Sequence, residues 1–272
     1  MRPSLLAALL FSLLYVQNLH GQVLPNQSYG PHQRNRMDVY LPQQHDTATP
    51  TIVLIHGGAW IIGHKKQWLP EIIQALTTQG YAVACINYRY ACRNYLAQMH
   101  DVDLAIKHLQ AQAPAHQLSS SRVALAGVSA GGHLSLLYAH AFDTAHTVKA
   151  VVSMCGPTNL TDSLFYRYLK HYCIGFVLKR FLGEPFKKQT EVYRQASPLY
   201  RLSRVPSLFI HGQIDDLVPT SQSVRMFQAM QAAGYATDTL LLPHTGHLIT
   251  GKHKANVPLI IQSLLSWFKK YL

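Results

Sequence analysis

The stretch ALAGVSAGGH, from Ala124 to His133, places one serine between glycines two positions away on either side. An apolar, strand-like run precedes Ser129 and a helical pattern follows it. The backbone of such a turn is strained and its neighbours approach closely, so glycine at 127 and 131 removes side chains that would clash. In this setting G-x-S-x-G predicts a nucleophile elbow, with the serine hydroxyl projecting above a sheet.

Apolar runs and segments of helical period alternate along the rest of the chain. The runs are MDVYLP, TIVLIHGG, YAVACINYRY, RVALAGV, VKAVVSMCGP, PSLFIHG and TDTLLLP. Such alternation predicts an α/β fold, with a mostly parallel central sheet flanked by helices. Residues 158–202 interrupt the pattern, because they are aromatic and basic and contain no obvious buried strand. We expect them to form a helical lid insertion over one sheet edge.

Two pairs of residues can complete a nucleophilic site, because a serine needs a base and an acid that orients the base. Asp215 and Asp216 follow the run PSLFIHG, and His244 and His247 follow TDTLLLP. One aspartate of the first pair could be a turn residue or a helix cap, and His244 could be a polar packing residue. The chain order of serine, acid and histidine is that of α/β-hydrolases.

Donors for an oxyanion are predicted in HGGAW, residues 56–60, directly after the strand TIVLI. Gly57, Gly58 and Ala59 have no bulky side chains, so their amides can approach a ligand. One amide from Gly58 or Ala59 and that of Ala130, beside the nucleophile, would hold the charge. Trp60 lies next to this loop and is expected to contact substrate.

The chain resembles the α/β-hydrolase superfamily, in its secreted esterase/lipase branch with an HGG-type oxyanion motif. The resemblance is carried by DVYLP, HGGAW, NYRY, GVSAGGH, ASPL, HGQIDDLVP and a final GH, in that order. It implies Ser129 as nucleophile, Asp215 as the acid of H-G-x-x-D, and His247 as the base. It also implies that His56 shapes the oxyanion loop. We expect His133, on the elbow helix, to be a packing residue rather than a second base.

The function that follows is hydrolysis of carboxylic esters through an acyl-enzyme, with a small molecule or a glycan ester as substrate. A peptidase or amidase similar to prolyl oligopeptidases is one alternative, and a catalytically silent hydrolase fold used for binding is another. No cofactor is expected. No metal site is expected either, since the 16 histidines are scattered rather than clustered as ligands.

The composition suits one domain of 272 residues with a net charge of +12. The basic residues are dispersed, which favours a solvated surface over nucleic-acid binding. Residues 1–21 have a basic start, a short apolar run and a small residue at the end, the pattern of a secretory signal. Residues 22–272 would then be a secreted or periplasmic domain, without a stable membrane span. Export permits disulfides, and a Cys92–Cys173 bridge is conceivable.

Overall fold

The computed structural model describes residues 21–186, 191–249 and 254–272. Its centre is an eight-stranded sheet with the order β1-β2-β4-β3-β5-β6-β7-β8. The strands are β1 (Val23–Ser28), β2 (Arg36–Tyr40), β3 (Thr51–Ile55), β4 (Ala82–Ile86), β5 (Val123–Val128), β6 (Val148–Met154), β7 (Ser207–Gly212) and β8 (Thr237–Leu242). β1 and β2 are antiparallel to their neighbours, and the pairs from β4 to β8 are parallel. The mostly parallel α/β fold expected from the sequence is confirmed.

The helices cover both faces of the sheet. They are α1 (Pro70–Thr78), α2 (Leu96–Gln112), α3 (Ala130–Leu137), α4 (Ser163–His171), α5 (Phe176–Leu182), α6 (Glu191–Gln195), α7 (Ser221–Ala232) and α8 (Val257–Tyr271). Side chains of α1 and α8 pack with one apolar cluster, and those of α2, α3 and α7 pack with the other. Neighbouring residues of β3 divide between the clusters, Ile52 in one and Val53 in the other, because successive side chains of a strand point to opposite faces. Because helices cover both faces of the sheet, side chains on both faces of a central strand are buried, which explains the continuously apolar runs in the sequence.

β1 has no counterpart among the runs recognised in the sequence. Its segment VLPNQS contains Pro25, and Asn26 has a φ of 54°. The register with β2 shifts between Leu24 and Gln27, and most of the strand is exposed. Proline and a residue in the left-handed region are typical of a turn. The local sequence therefore does not predict a strand, and the segment becomes one by pairing with β2 at the edge of the sheet.

The segment 158–202 forms no strand in its described residues and contributes α4, α5 and α6 between β6 and β7. Residues 187–190 within it lie outside the described part. Phe181 of α5 stacks on Trp60 at a centroid distance of 4.6 Å and also meets the ring of Tyr95. The insertion is therefore anchored to the main domain by aromatic packing.

The expected signal segment, residues 1–21, lies outside the described residues except for Gly21. Among the helices that the structure describes, none combines the length and apolar character needed to cross a bilayer. Cys92 and Cys173 are exposed free thiols, and Cys85 and Cys155 are buried ones. The bridge considered from the sequence is thus not formed in this structure.

Candidate active site

Ser129 lies on the turn between β5 and α3, where the sequence predicts a nucleophile elbow. Its φ and ψ are 55° and −119°, in a region that residues with a side chain rarely adopt. Two backbone hydrogen bonds hold the turn: the Ser129 amide donates to Met154 O at 2.7 Å, and the His133 amide donates to Ser129 O at 3.0 Å. The strain is therefore offset by the strand on one side and the helix on the other.

The glycines around the serine are required by close backbone approach. A Cβ on Gly131 would lie 2.1 Å from Ile55 O, and one on Gly127 would lie 2.2 Å from the carbonyl of Gly131. Both distances are far inside van der Waals contact. The first contact joins the elbow helix to the end of β3, so the absence of a side chain brings the serine beside the HGGAW loop.

Ser129, Asp215 and His247 form one hydrogen-bonded chain. His247 Nδ1 lies 2.7 Å from Asp215 Oδ2, and His247 Nε2 lies 2.9 Å from Ser129 Oγ. Because a carboxylate only accepts, Nδ1 donates to it and Nε2 is left to accept the serine proton. The three residues follow β5, β7 and β8, whose parallel carboxyl ends share one sheet edge.

Asp215 is buried, and four N–H groups donate hydrogen bonds to its carboxylate. Its Oδ1 accepts the amides of Leu217 and Val218 at 2.9 and 2.8 Å, and its Oδ2 accepts from His247 and from Nε2 of His211 at 3.1 Å. Burial alone would raise the pKa of Asp215, but the hydrogen bonds from the two histidines outweigh it and hold the pKa well below the usual value. The carboxylate is therefore ionised across the neutral range.

The structure separates the members of each pair that the sequence left open. Asp216 is exposed and its carboxylate accepts a hydrogen bond from the hydroxyl of Tyr172, in the connection between α4 and α5. His244 is exposed, with a φ of 51°, in the turn after β8. Asp215 and His247 are the members that lie together with Ser129.

The HGGAW loop turns sharply after β3. Gly58 has a φ of 113° and Ala59 a φ of 48°. Within the described residues, neither of their amides donates to another protein group. Ala130 is the first residue of α3, where an amide has no acceptor inside the helix. These three amides are therefore free to bind an anionic oxygen.

A polar clamp holds this loop from behind. His56 Nδ1 donates to Gly57 O at 2.6 Å, and the ring stacks on Tyr88 at 4.3 Å. Arg34 donates to Gly63 O at 2.9 Å and lies 3.4 Å from His56 Nε2. Burial lowers the pKa of His56 to about 4, so the ring is neutral and can accept from the guanidinium. Arg34 precedes the motif in an irregular segment, so no sequence pattern indicates its contact with this loop.

The expected substrate contact of Trp60 is not supported by its position. Its side chain is 2% exposed and packs between Phe181 and His133. The indole Nε1 donates to His133 Nδ1 at 3.3 Å, and His133 Nε2 donates to Ala196 O at 2.8 Å. Burial lowers the pKa of His133 to about 4. Both residues therefore join the HGGAW loop to the inserted segment 158–202, and His133 is a packing residue.

One group of described side chains has the composition of a metal site. Ligand atoms of Cys155, Asp215 and His247 lie within 4.8 Å of one another. Burial, followed by the charge of Asp215, raises the pKa of the Cys155 thiol well above its usual value. The protonated thiol is a poor ligand, and Asp215 already binds His247, so this group fits a hydrogen-bonded site better than a metal site.

Comparison with known proteins finds a matching family and curated relatives. A family model described as BD-FAE matches residues 37–230. A "probable isoprenylcysteine alpha-carbonyl methylesterase" of Oryza sativa subsp. japonica is 27% identical over 86% of this chain and 59% of its own length. Esterase LipC of Mycobacterium tuberculosis is 27% identical over 80% of this chain and 58% of its own length. The chain thus spans less than two thirds of these curated relatives.

Two solved structures with the same fold are described as esterases. A truncated carbohydrate esterase from gut microbiota has a TM-score of 0.77 at 22% identity, over 93% of this chain and 99% of that one. Esterase B from Lactobacillus rhamnosis, with an inhibitor bound, has a TM-score of 0.74 at 19% identity, over 98% of this chain and 93% of that one. At these identities the likeness concerns the fold.

Proposed function

The chain belongs to the BD-FAE family of α/β-hydrolase esterases, and from this premise we propose that it hydrolyses carboxylic esters through a serine acyl-enzyme. The observation that carries the proposal is the chain of contacts from Asp215 through His247 to Ser129, 2.7 and 2.9 Å long. The esterase names of its relatives support the same reaction class.

In the proposed mechanism His247 Nε2 takes the hydroxyl proton while Ser129 Oγ bonds to the ester carbonyl carbon. The carbonyl oxygen gains a negative charge, which the amides of Ala130 and of Gly58 or Ala59 stabilise. The tetrahedral intermediate collapses, and the alcohol leaves with the proton from His247. Water then repeats the sequence on the acyl-enzyme, releases the acid and restores the serine.

Asp215 has two roles in this mechanism. Its Oδ2 accepts from Nδ1 and so keeps Nε2 of His247 facing the serine. Its negative charge stabilises the imidazolium that forms when the proton moves. The low pKa of Asp215 supports this, because the carboxylate remains charged while His247 is protonated.

The test compares wild type with Ser129→Ala on p-nitrophenyl acetate and butyrate. We expect turnover by wild type and none above background by the variant, with identical circular dichroism. A fluorophosphonate probe should label wild type at Ser129 only. A folded wild type that neither turns over ester nor takes the label would instead favour a binding role, and cleavage of dipeptide anilides without ester turnover would favour a peptidase.

The proposal extends to export, which rests on the sequence pattern of residues 1–21. Expression of the full chain in a secreting host should deliver protein outside the cytoplasm whose first residue is Gln22. Retention of Met1 on cytoplasmic protein would contradict this part and leave the ester chemistry unaffected.

A further inference from the structure

A second histidine contacts the carboxylate of Asp215, at the same oxygen, Oδ2, that accepts from His247. His211, on β7, has no exposed surface, and its Nε2 lies 3.1 Å from Asp215 Oδ2 and 2.9 Å from Val218 O. Its Nδ1 lies 2.7 Å from the hydroxyl of Ser223, a buried residue of α7. The mechanism described above uses neither His211 nor Ser223.

These contacts determine which nitrogen of His211 is protonated. Nε2 faces two oxygens that only accept, a carbonyl and a carboxylate, so it carries the hydrogen. In the neutral ring Nδ1 is then an acceptor and receives the hydroxyl proton of Ser223. The result is a continuous chain from Ser223 to His211, Asp215, His247 and Ser129, with the carboxylate at its centre.

On the premise of the proposed esterase reaction, we propose that His211 is a positioning residue for Asp215, and that Ser223 holds His211 in the required tautomer. The Nε2–H of His211 fixes the carboxylate orientation that His247 needs. It also draws electron density from Oδ2, which moderates the attraction of Asp215 for the protonated form of His247.

Cys155 and Asp216 also lie beside Asp215. Cys155, after β6, is held protonated by burial and by the Asp215 charge, so it is neutral. Asp216 is the next residue, and its carboxylate accepts a hydrogen bond from the hydroxyl of Tyr172, which lies in the lid. Because the ring of His211 faces Ser223, Val218 O and Asp215, its donor to Oδ2 can be removed without touching His247 or Ser129. The Cys155 thiol, which also hydrogen-bonds Asp215, stays in place in such a variant.

Without the His211 donor, Oδ2 becomes a stronger acceptor and stabilises the protonated His247 more. As the pH falls, a base whose protonated form is more stable takes up its proton at a higher pH, and it is inactive from that point downward. The acid limb of the kcat/KM profile should therefore move upward, whereas a residue that merely packs would lower kcat and leave the limb in place.

The experiment uses His211→Phe, which keeps a ring and removes the donor, and His211→Gln, whose Nε2–H can replace it. With p-nitrophenyl butyrate we expect the acid limb of His211→Phe to rise by about half a pH unit and kcat to fall roughly tenfold. The glutamine variant should return the limb to within about 0.2 pH unit of wild type. The matched control is His140→Phe, since His140 is also a buried histidine but contacts Ser203 and Ser207 instead of Asp215.

An acid limb of His211→Phe that coincides with those of wild type and His140→Phe would overturn the proposal. Should His211→Phe fail to fold, Ser223→Ala decides, because loss of its hydroxyl weakens the His211 donor. The acid limb of the kcat/KM profile of Ser223→Ala should move in the same direction by a smaller amount. An acid limb that stays in place in the folded variant would count against the proposal.

The same shift is measurable without catalysis. NMR of the imidazole Cε1–H groups, with His247 assigned by His247→Ala, should show the titration midpoint of His247 rising in His211→Phe. This readout separates the two proposals. A wild type without ester turnover defeats the esterase function, while an unmoved His247 midpoint defeats the role of His211.

Discussion

His247 Nε2 lies 2.9 Å from Ser129 Oγ, although 118 positions separate the two residues in the chain. The contact exists because β5 and β8 are parallel members of one sheet and end at the same edge. The sheet thus brings the proposed nucleophile and its proposed base into contact, and each is oriented by its own loop.

Replacement of Asp215 should disable the reaction, and replacement of Asp216 should not. Asp215→Asn leaves the shape of the site but removes the charge and permits the wrong His247 tautomer, so kcat should fall roughly 10³- to 10⁴-fold. Asp216→Asn is the matched control because its carboxylate is exposed and bonded to Tyr172. We expect its kcat within about threefold of wild type. Equal losses in both variants would contradict the assignment of the acid.

Stability should fall as the pH drops from about 6.5 towards 4. Burial lowers the pKa of His133 and of His140 to about 4. In that window the unfolded chain binds protons that the folded chain does not, so acid favours unfolding, and the stabilisation is complete above about 6.5. The upper limit is about 3 kcal/mol per histidine. Urea unfolding at pH 7.5 and 5 measures the loss of unfolding free energy, and His140→Phe should make that loss smaller. A wild type whose unfolding free energy is the same at both pH values would refute this account.

Alanine at Gly131 should be far more harmful than alanine at an open glycine. Its Cβ would lie 2.1 Å from Ile55 O, so strand and helix must separate, at a cost of about 3 kcal/mol. Gly80 also has a positive φ, 83°, but no atom within 4 Å of a new Cβ. Gly80→Ala should therefore cost only about 1 kcal/mol, from backbone strain. Thermal unfolding compares the two, and similar costs would mean that contact at the elbow is not the reason for the glycine.

Apolar acyl chains should bind at the rim of the site. Ile62, Ile214 and Leu248 are 61%, 62% and 65% exposed. They belong, in that order, to the loops that carry the proposed oxyanion amides, Asp215 and His247. Ile214→Ser with Leu248→Ser should raise KM for p-nitrophenyl octanoate about fivefold and leave that for the acetate within twofold. Leu259→Ser, on α8, is the control. An equal change for both esters would show that the rim does not contact the acyl chain.

The order of strands and helices and the place of the elbow were predictable from local sequence. A buried parallel strand is apolar throughout, and the glycines of GVSAGGH record a close approach at the turn. Since parallel strands end at a common edge, the loops holding Ser129, Asp215 and His247 could be expected to meet. The local sequence does not indicate β1, because Pro25 and Asn26 are typical of turns and only pairing with β2 makes this segment a strand.

What the sequence by itself determined is therefore the framework: which segments are strands, which loops share an edge, and which residue types meet there. Tertiary structure alone decided the directions of side chains. It turned Asp215 inward to His247 and Asp216 outward to Tyr172, enclosed Trp60 in the core, and brought Ser223 and His211 behind the acid. Periodicity reports the face on which a residue lies, whereas a hydrogen bond between remote residues depends on loop conformation and on the packing of α7 and the lid.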